Sequence, residues 1–370
     1  MLLLVFAAAA VLLAGCAGAP PRGEAPSAPP ALPAGREPAP SAPPFRGGVP
    51  SALPRLKVPE IASGRPVRVL LGGAQKEIRI AGESIRAWSA AGAPVAGGEG
   101  AVALSVIGEK IRWGAGKLLD SPIDVASPSG MRIDGKPLVA RVRVSARGAM
   151  LYAVAVVPLE EYVAAVASRE APPSFHPEAL SALAVAVRTY ALLSMEKPRE
   201  PTHDVVAGVE DQVFEGLDHV AEVFRKAAAA TRGEVLSYRG SLARAVFHST
   251  CGGRTENAKD AWGSDVPYLR SVACDDCLES PARKWEYRMT AKEGKRIALS
   301  LGVRAKEDLK ISVAVRSSTG RAGKIRISSN GVSREVAAAA FRKEAGYARV
   351  KSLKMEIVPV GNGWSIAGEG

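Results

Sequence analysis

Two periodicities divide the chain. From about Pro66, Val67-Arg68-Val69-Leu70-Leu71 and Glu77-Ile78-Arg79-Ile80 alternate apolar and polar positions in the manner of strands, and Val102 to Trp113 and Leu138 to Val144 do likewise. Gly pairs and Ser-Pro-Ser-Gly at 127–130 mark turns, so the chain to about Val157 reads as mostly β. The period then lengthens. Leu159, Tyr162, Val163 and Val166 share one helical face, with Pro158 suited to the helix start and Glu160 and Glu161 suited to its positive end. This helix is expected to stop near Arg169-Glu170, because Pro172 disfavours helix at Ala171. A second helix is expected from Pro177 to about Met195, buried through Leu180, Leu183, Ala184, Val187 and Ala191, and a third from about His219 to Thr231. Strands are expected again at Glu234–Tyr238 and Ala243–His248, and from Lys284 strands mix with a helix near Val336–Glu344. The fold class is therefore α+β: a β-rich part at 65–157, a central helical part at 158–280 and a mixed part at 281–370. No internal repeat is visible.

The N-terminus changes the picture. Met1 to Leu13 is almost purely apolar and too short for a stable bilayer span, as in a signal peptide, here residues 1–15. Leu12-Leu13-Ala14-Gly15-Cys16 resembles a bacterial lipobox, which would make Cys16 a lipidated N-terminus anchored in a membrane. No Lys or Arg precedes the apolar run, and an ordinary secretory signal is the competing reading. The stretch 16–57 is rich in Pro, Ala and Gly and is expected to serve as an extended tether. An exported, membrane-anchored protein of the periplasm or cell envelope is the expected location.

Of the 370 residues, 49 are Lys or Arg and 37 Asp or Glu, a formal net charge of +12 that favours anionic partners such as nucleic acid, a membrane surface or an acidic polymer. Aromatics make up only 5% and no basic run is interleaved with them, which argues against nucleic acid.

Besides Cys16, the cysteines are Cys251, Cys274 and Cys277. Three thiols cannot all pair internally. His248-x2-Cys251 followed by Cys274-x2-Cys277 offers two knuckles whose soft donors and imidazole suit a closed, structural zinc site. A Cys274–Cys277 disulfide with Cys251 free, and a catalytic Cys251, are the alternatives. Glu170 is the candidate acid. It closes a helix before Ala171-Pro172-Pro173, where the negative end of the dipole would raise its pKa toward what a general acid needs. Against this stands a solvated Glu170 paired with Arg169 or Arg188. Arg188 lies in an apolar helix face and needs a partner, for which Glu170 or Glu178 would serve.

These segments resemble the stage II sporulation protein D (SpoIID/LytB) family. The resemblance is carried by Val157-Pro158-Leu159-Glu160-Glu161-Tyr162-Val163, Ser168-Arg169-Glu170-Ala171-Pro172, the helix from Glu178-Ala179-Leu180 through Ala186-Val187-Arg188-Thr189-Tyr190-Ala191, and Asp211-Gln212-Val213-Phe214-Glu215-Gly216. Ala228 through Leu236, His248-Ser249-Thr250-Cys251-Gly252-Gly253-Arg254-Thr255-Glu256-Asn257, Ala261-Trp262-Gly263 and Pro267-Tyr268-Leu269 fit as well, and Ser317 to Arg321 and Phe341-Arg342 are similar to later landmarks. The resemblance spans roughly 65–370 and is most specific at 157–270.

It implies a SpoIID-like core that cleaves peptidoglycan glycan strands as a lytic transglycosylase, or assists as a non-catalytic wall-binding enhancer of a cell-wall amidase. Glu170 is then the single acid/base, Arg188, Tyr190 and Gln212 line the groove, and His248, Cys251, Cys274 and Cys277 hold the zinc that shapes its wall. A zinc hydrolase is a third class and would need an open metal position. Leu183 stands where the family usually carries Gln. The family's closing Gly-His-Gly-Val-Gly and Gln-x-Gly-Ala segment would begin about where Trp364 to Gly370 lies, which implies a truncated sequence or a member lacking it.

Overall fold

The computed structural model describes residues 64–138, 141–208 and 211–370. The expected signal segment, Cys16 and tether lie outside the described residues. Among the described residues, ten strands precede the first helix: β1 (Val67–Leu70), β2 (Glu77–Ser89), β3 (Pro94–Ile107), β4 (Lys110–Trp113), β5 (Lys117–Asp120), β6 (Ile123–Ala126), β7 (Met131–Ile133), β8 (Lys136–Leu138), β9 (Arg141–Arg147) and β10 (Met150–Val157). With the short β11 (Val205–Val206) they form one sheet in the order β11-β1-β10-β9-β6-β2-β3-β4-β5, with β7 and β8 attached beside β2. Neighbours are antiparallel except β11, which lies parallel to β1. The alternation read from sequence is the cause. Val67 and Val69, Ile78 and Ile80, and Val142 and Val144 turn to one buried face while Arg79, Arg141 and Arg143 turn away.

Three helices cover that face: α1 (Leu159–Glu170), α2 (Pro177–Glu196) and α3 (Glu222–Ala230). Their apolar residues join the strands in a single core that runs from Val67 to Ala228. Each of Tyr162, Val163 and Val166 is fully buried, and a side chain of this kind contributes about 1.5–3 kcal/mol. Pro158 sits just before α1 with Glu160 and Glu161 in the first turn. The helix ends because Ala171, ahead of Pro172, is extended with φ −139°. In α2, His176 caps the start by accepting the Glu178 N–H on Nδ1, with Pro177 in the first turn. That helix is long and apolar enough to cross a membrane by composition, but half of it is buried between its neighbours.

From Lys284 a second core forms around Trp285, Ile325, Phe341 and Ile366, built from two three-stranded sheets and helices Ala291–Ser300 and Ala338–Ala345. The α+β class holds, with six α-helices among the described residues. The strand expected at 234–238 shrinks to Ser237–Tyr238, which pairs with Ser241–Leu242, and no strand forms at 243–248. Ala243 and Ala245 are buried, so the alternation is real, but 243–248 forms no ladder and runs as irregular chain. Alternation reports burial on one side and says nothing about whether a neighbouring strand is available.

Arg188 is completely buried, and its partner is Glu160 rather than Glu170 or Glu178. Nε meets Oε1 at 3.0 Å and Nη2 meets Oε2 at 2.6 Å. Its other donors reach the carbonyls of Ala228 and Glu234 and the Thr231 hydroxyl. One guanidinium thus fastens α1, α2 and the end of α3 together. Glu160→Ala is expected to lower unfolding free energy by about 3 kcal/mol, because it strands a buried charge. Glu161→Ala, which breaks the exposed pair with Arg225, is expected to cost under about 1 kcal/mol. Urea unfolding of the two variants checks the contrast; equal losses would refute it.

Candidate active site

Glu170 occupies the last turn of α1, half-buried, where the break at Ala171-Pro172 ends the helix and leaves its side chain beside the segment 211–214. One carboxylate oxygen accepts the Val213 N–H, while Oε1 is buried and has no hydrogen-bond partner. Neither neighbouring arginine pairs with it: Arg169 reaches Glu215 at 3.2 Å and Arg188 holds Glu160. Burial raises the Glu170 pKa from its ordinary 4.5 to about 7, against the opposing pull of the Val213 N–H. The expected direction therefore holds, but the leading cause is desolvation rather than the helix dipole.

The segment beneath Glu170 is held from below. Asp211 is fully buried. Its Oδ1 accepts the Tyr190 hydroxyl at 2.6 Å and is paired with Arg199, and its Oδ2 accepts the Val206 N–H at 2.8 Å. Gln212, also fully buried, accepts the Tyr162 hydroxyl on Oε1 at 2.9 Å, while its Nε2 donor is left without a partner. Tyr162 stacks on Phe214 with ring centroids 5.7 Å apart, which fixes the aromatic floor between helix and segment. Burial, followed by the charge of Asp211, drives the Tyr162 pKa well up, so the phenol stays a donor.

Of the groove residues expected from sequence, Tyr190 and Gln212 gather at this segment, whereas Arg188 is enclosed between helices. Sequence reasoning missed the anchoring role of Asp211, the phenol of Tyr162 and the cations beside Tyr190. The pairing of Tyr190 with Asp211 carries no periodic signal that could have revealed it.

The three cysteines converge. The Sγ atoms of Cys251, Cys274 and Cys277 all lie within 4.8 Å of one another, and no disulfide joins them. The Cys251 N–H donates to Cys277 Sγ at 3.4 Å, and the Gly253 N–H is directed at the Cys251 thiol. Backbone N–H groups aimed at sulfur stabilise and orient thiolates that ligate a metal, so the donor set fits a soft divalent cation such as zinc. Gly252 permits the turn: its φ is +69°, and a Cβ there would meet Glu369 atoms at 3.0 Å. Burial pushes the Cys251 thiol up to about 11. At Cys277 burial acts in the same sense, but the Cys251 N–H and the neighbouring thiols outweigh it, and its pKa falls below the ordinary value. His248 is not among the converging donors. It retains substantial exposure, and its pKa is lowered by desolvation and by Arg321.

Two measurements test these sites. Because the folded state holds the Glu170 proton to higher pH than the unfolded chain does, the wild type should lose stability relative to Glu170→Gln as pH rises from about 4.5 to about 7. The gap should reach roughly 2–3 kcal/mol at pH 8 and nearly vanish below pH 4.5. Urea titrations at pH 4.2 and pH 8 read it, and a pH-independent gap would contradict the assignment. Metal analysis of protein purified with zinc should find one ion per chain, lost in Cys277→Ser together with a lowered Tm. Full zinc retention in Cys277→Ser would remove that thiol from the donor set.

A family model described as SpoIID, stage II sporulation protein, matches residues 147–238, the stretch that holds Glu170, Tyr190 and Asp211. An uncharacterized protein of Brachyspira hyodysenteriae is 32% identical over 57% of this chain and 56% of its own length. Stage II sporulation protein D of Bacillus subtilis is 36% identical over 37% of this chain and 44% of its own. The amidase enhancer of the same organism is 40% identical over 28% of this chain and 14% of its own. The chain thus spans about half or less of the length of these relatives.

Proposed function

We propose that this chain, which belongs to the stage II sporulation protein D family through its SpoIID domain, cleaves the glycan strands of peptidoglycan as a lytic transglycosylase with Glu170 as its single acid and base. The observation that carries this reading is the Glu170 carboxyl: half-buried, unpaired by any cation among the described residues, and titrating near 7. At neutral pH such a group exists in both protonation states, as a residue that first gives and then takes a proton requires. Protonated Glu170 donates to the glycosidic oxygen as the C1–O bond breaks. The sugar's own 6-hydroxyl oxygen then bonds to C1 and gives its proton to the Glu170 carboxylate, which closes a 1,6-anhydro ring and restores the acid. No water enters, so no second carboxylate is needed to hold one, in contrast to an inverting glycosidase. Gln212 Nε2, buried and without a hydrogen-bond partner, lies next to Val213 in the chain.

Cys251, Cys274 and Cys277 would hold a zinc ion. Such an ion supplies no chemistry to the reaction; it would fasten the loop around 251–277. The apolar N-terminus, Cys16 and the Pro-rich stretch support a lipoprotein held at a membrane of the cell envelope and facing the wall.

A second reading is a non-catalytic peptidoglycan-binding module that promotes a cell-wall amidase, favoured by the 40% identity to the amidase enhancer. Mass spectrometry of soluble products from peptidoglycan, intact and peptide-stripped, separates the two. The first reading expects anhydro-muramyl ends from the wild type and at least a hundredfold fewer from Glu170→Gln, in keeping with the usual effect of a general acid. Wall binding without products would establish the second.

A further inference from the structure

We propose that the cysteine centre works as a metal-operated clasp: an ion held by Cys251, Cys274 and Cys277 fixes the loop onto which Arg321 and Lys354 fasten the C-terminal part, an inference that rests on the zinc reading above. The two apolar cores are separate. The buried members of the first end at Ala228 and those of the second begin at Trp285, and the cysteine loop lies on the chain between them. This loop meets the second core through polar groups, and a polar, partly exposed junction opens more readily than the cores on either side of it.

The contacts converge on the residues next to Cys251. Arg321 Nη2 donates to the carbonyls of Cys251 and Arg254, both at 2.7 Å. Lys354 Nζ donates to the Gly252 carbonyl at 2.6 Å and to Glu369 at 2.7 Å. Glu256 accepts the hydroxyls of Ser317 and Thr319 at 2.6 and 2.8 Å, and Asp260 accepts that of Ser318 at 2.9 Å. Ser317 to Arg321 is the turn between the paired strands Lys310–Arg316 and Ala322–Ser329. Lys354 precedes the strand Met355–Val360, and Glu369 ends its partner Gly363–Glu369. Both anchors are therefore rooted in the second core, through Ile311 and Ile325 on one side and Met355 and Ile366 on the other.

Ligation acts on the opposite side of the same residues. It cross-links Cys251 to Cys274 and to Cys277, the latter 26 residues on, across the backbone bonds from Thr255 N–H to the Val272 carbonyl and from Cys274 N–H to the Gly253 carbonyl, each 3.0 Å. Three thiolates around one divalent cation carry a net negative charge, and Arg321 brings a positive one to the Cys251 carbonyl. The ion thus strengthens the hold of Arg321, and Arg321 favours the ion; such coupling is reciprocal. It also reaches the candidate site. The helix Ala338–Ala345 of the C-terminal part places Ala339 in the wall of the cavity beside Tyr190, the residue that anchors Asp211.

Hydrogen exchange of the full chain, loaded with zinc and then stripped with a chelator, reads the clasp. Any zinc reading expects residues 251–277 to loosen on stripping. The clasp expects more: residues 317–322 and 369–370, whose Ala322 and Gly370 N–H groups are bonded to Leu353 and Arg283, should exchange about tenfold or more faster, within the range usual for linked sites, while β9 and β10 stay unchanged. The reverse arm measures zinc affinity by chelator competition. Arg321→Ala and Lys354→Ala should each weaken it about tenfold, as loss of a residue that supports metal ligands commonly does. Arg326→Ala, which breaks an exposed pair with Glu335 on the same sheet, should leave it unchanged. Arg321→Lys, which keeps the charge and loses the planar fork, should fall between and serves if Arg321→Ala does not fold. Exchange unmoved at 317–322 and 369–370 in a chain that has released its zinc overturns the clasp and leaves the zinc reading standing. Wild-type zinc affinity in the folded Arg321 and Lys354 variants does the same. A chain that takes up no metal at the three thiols overturns both.

Discussion

The site depends on the burial of one carboxylate. Asp211 has no solvent exposure, and an ionised group taken out of water survives only if its oxygens are fully engaged. A phenol from α2, an N–H from the sheet edge and a guanidinium from the chain after α2 engage it. Meeting those demands forces three parts of the chain to a common point. It ties the sheet edge to the helical layer, fixes the segment 211–214, and so determines where the Val213 N–H and the Gln212 amide stand relative to Glu170. The Glu160–Arg188 pair does for the helices what Asp211 does for the segment. Both are costly to desolvate and intolerant of a missing partner, which makes them devices of registry more than of net stability.

The parts of this architecture that periodicity controls were legible. The alternation at 67–71 and the helical faces at 159–170 and 177–195 lead to elements within a residue or two of the observed bounds, because each buries one face against a single core, whereas the strand read at 77–80 runs on to Ser89 and the one read at 138–144 is Arg141–Arg147. Pro172 marked the end of α1 because its constraint on Ala171 is local. The buried pairings were not legible. That Arg188 needed a partner followed from its apolar neighbours, but the choice of Glu160 depends on how α1 crosses α2, which no local pattern encodes. The irregular run 243–248 failed for the opposite reason: its alternation reflects real burial, but the ladder partner a strand needs is a property of the assembled fold. The cysteine knuckles could be read from spacing, and three of the four expected donors do converge, while His248, on that same irregular run, stands apart.

A chain with a net charge of +12 is a poor setting for a carboxyl that must keep its proton near neutrality, because a nearby cation stabilises the charged form and lowers the pKa. Three arginines of the site and its helices are each matched to another acid: Arg169 to Glu215, Arg188 to Glu160 and Arg199 to Asp211. With those charges spoken for, desolvation is left to govern Glu170.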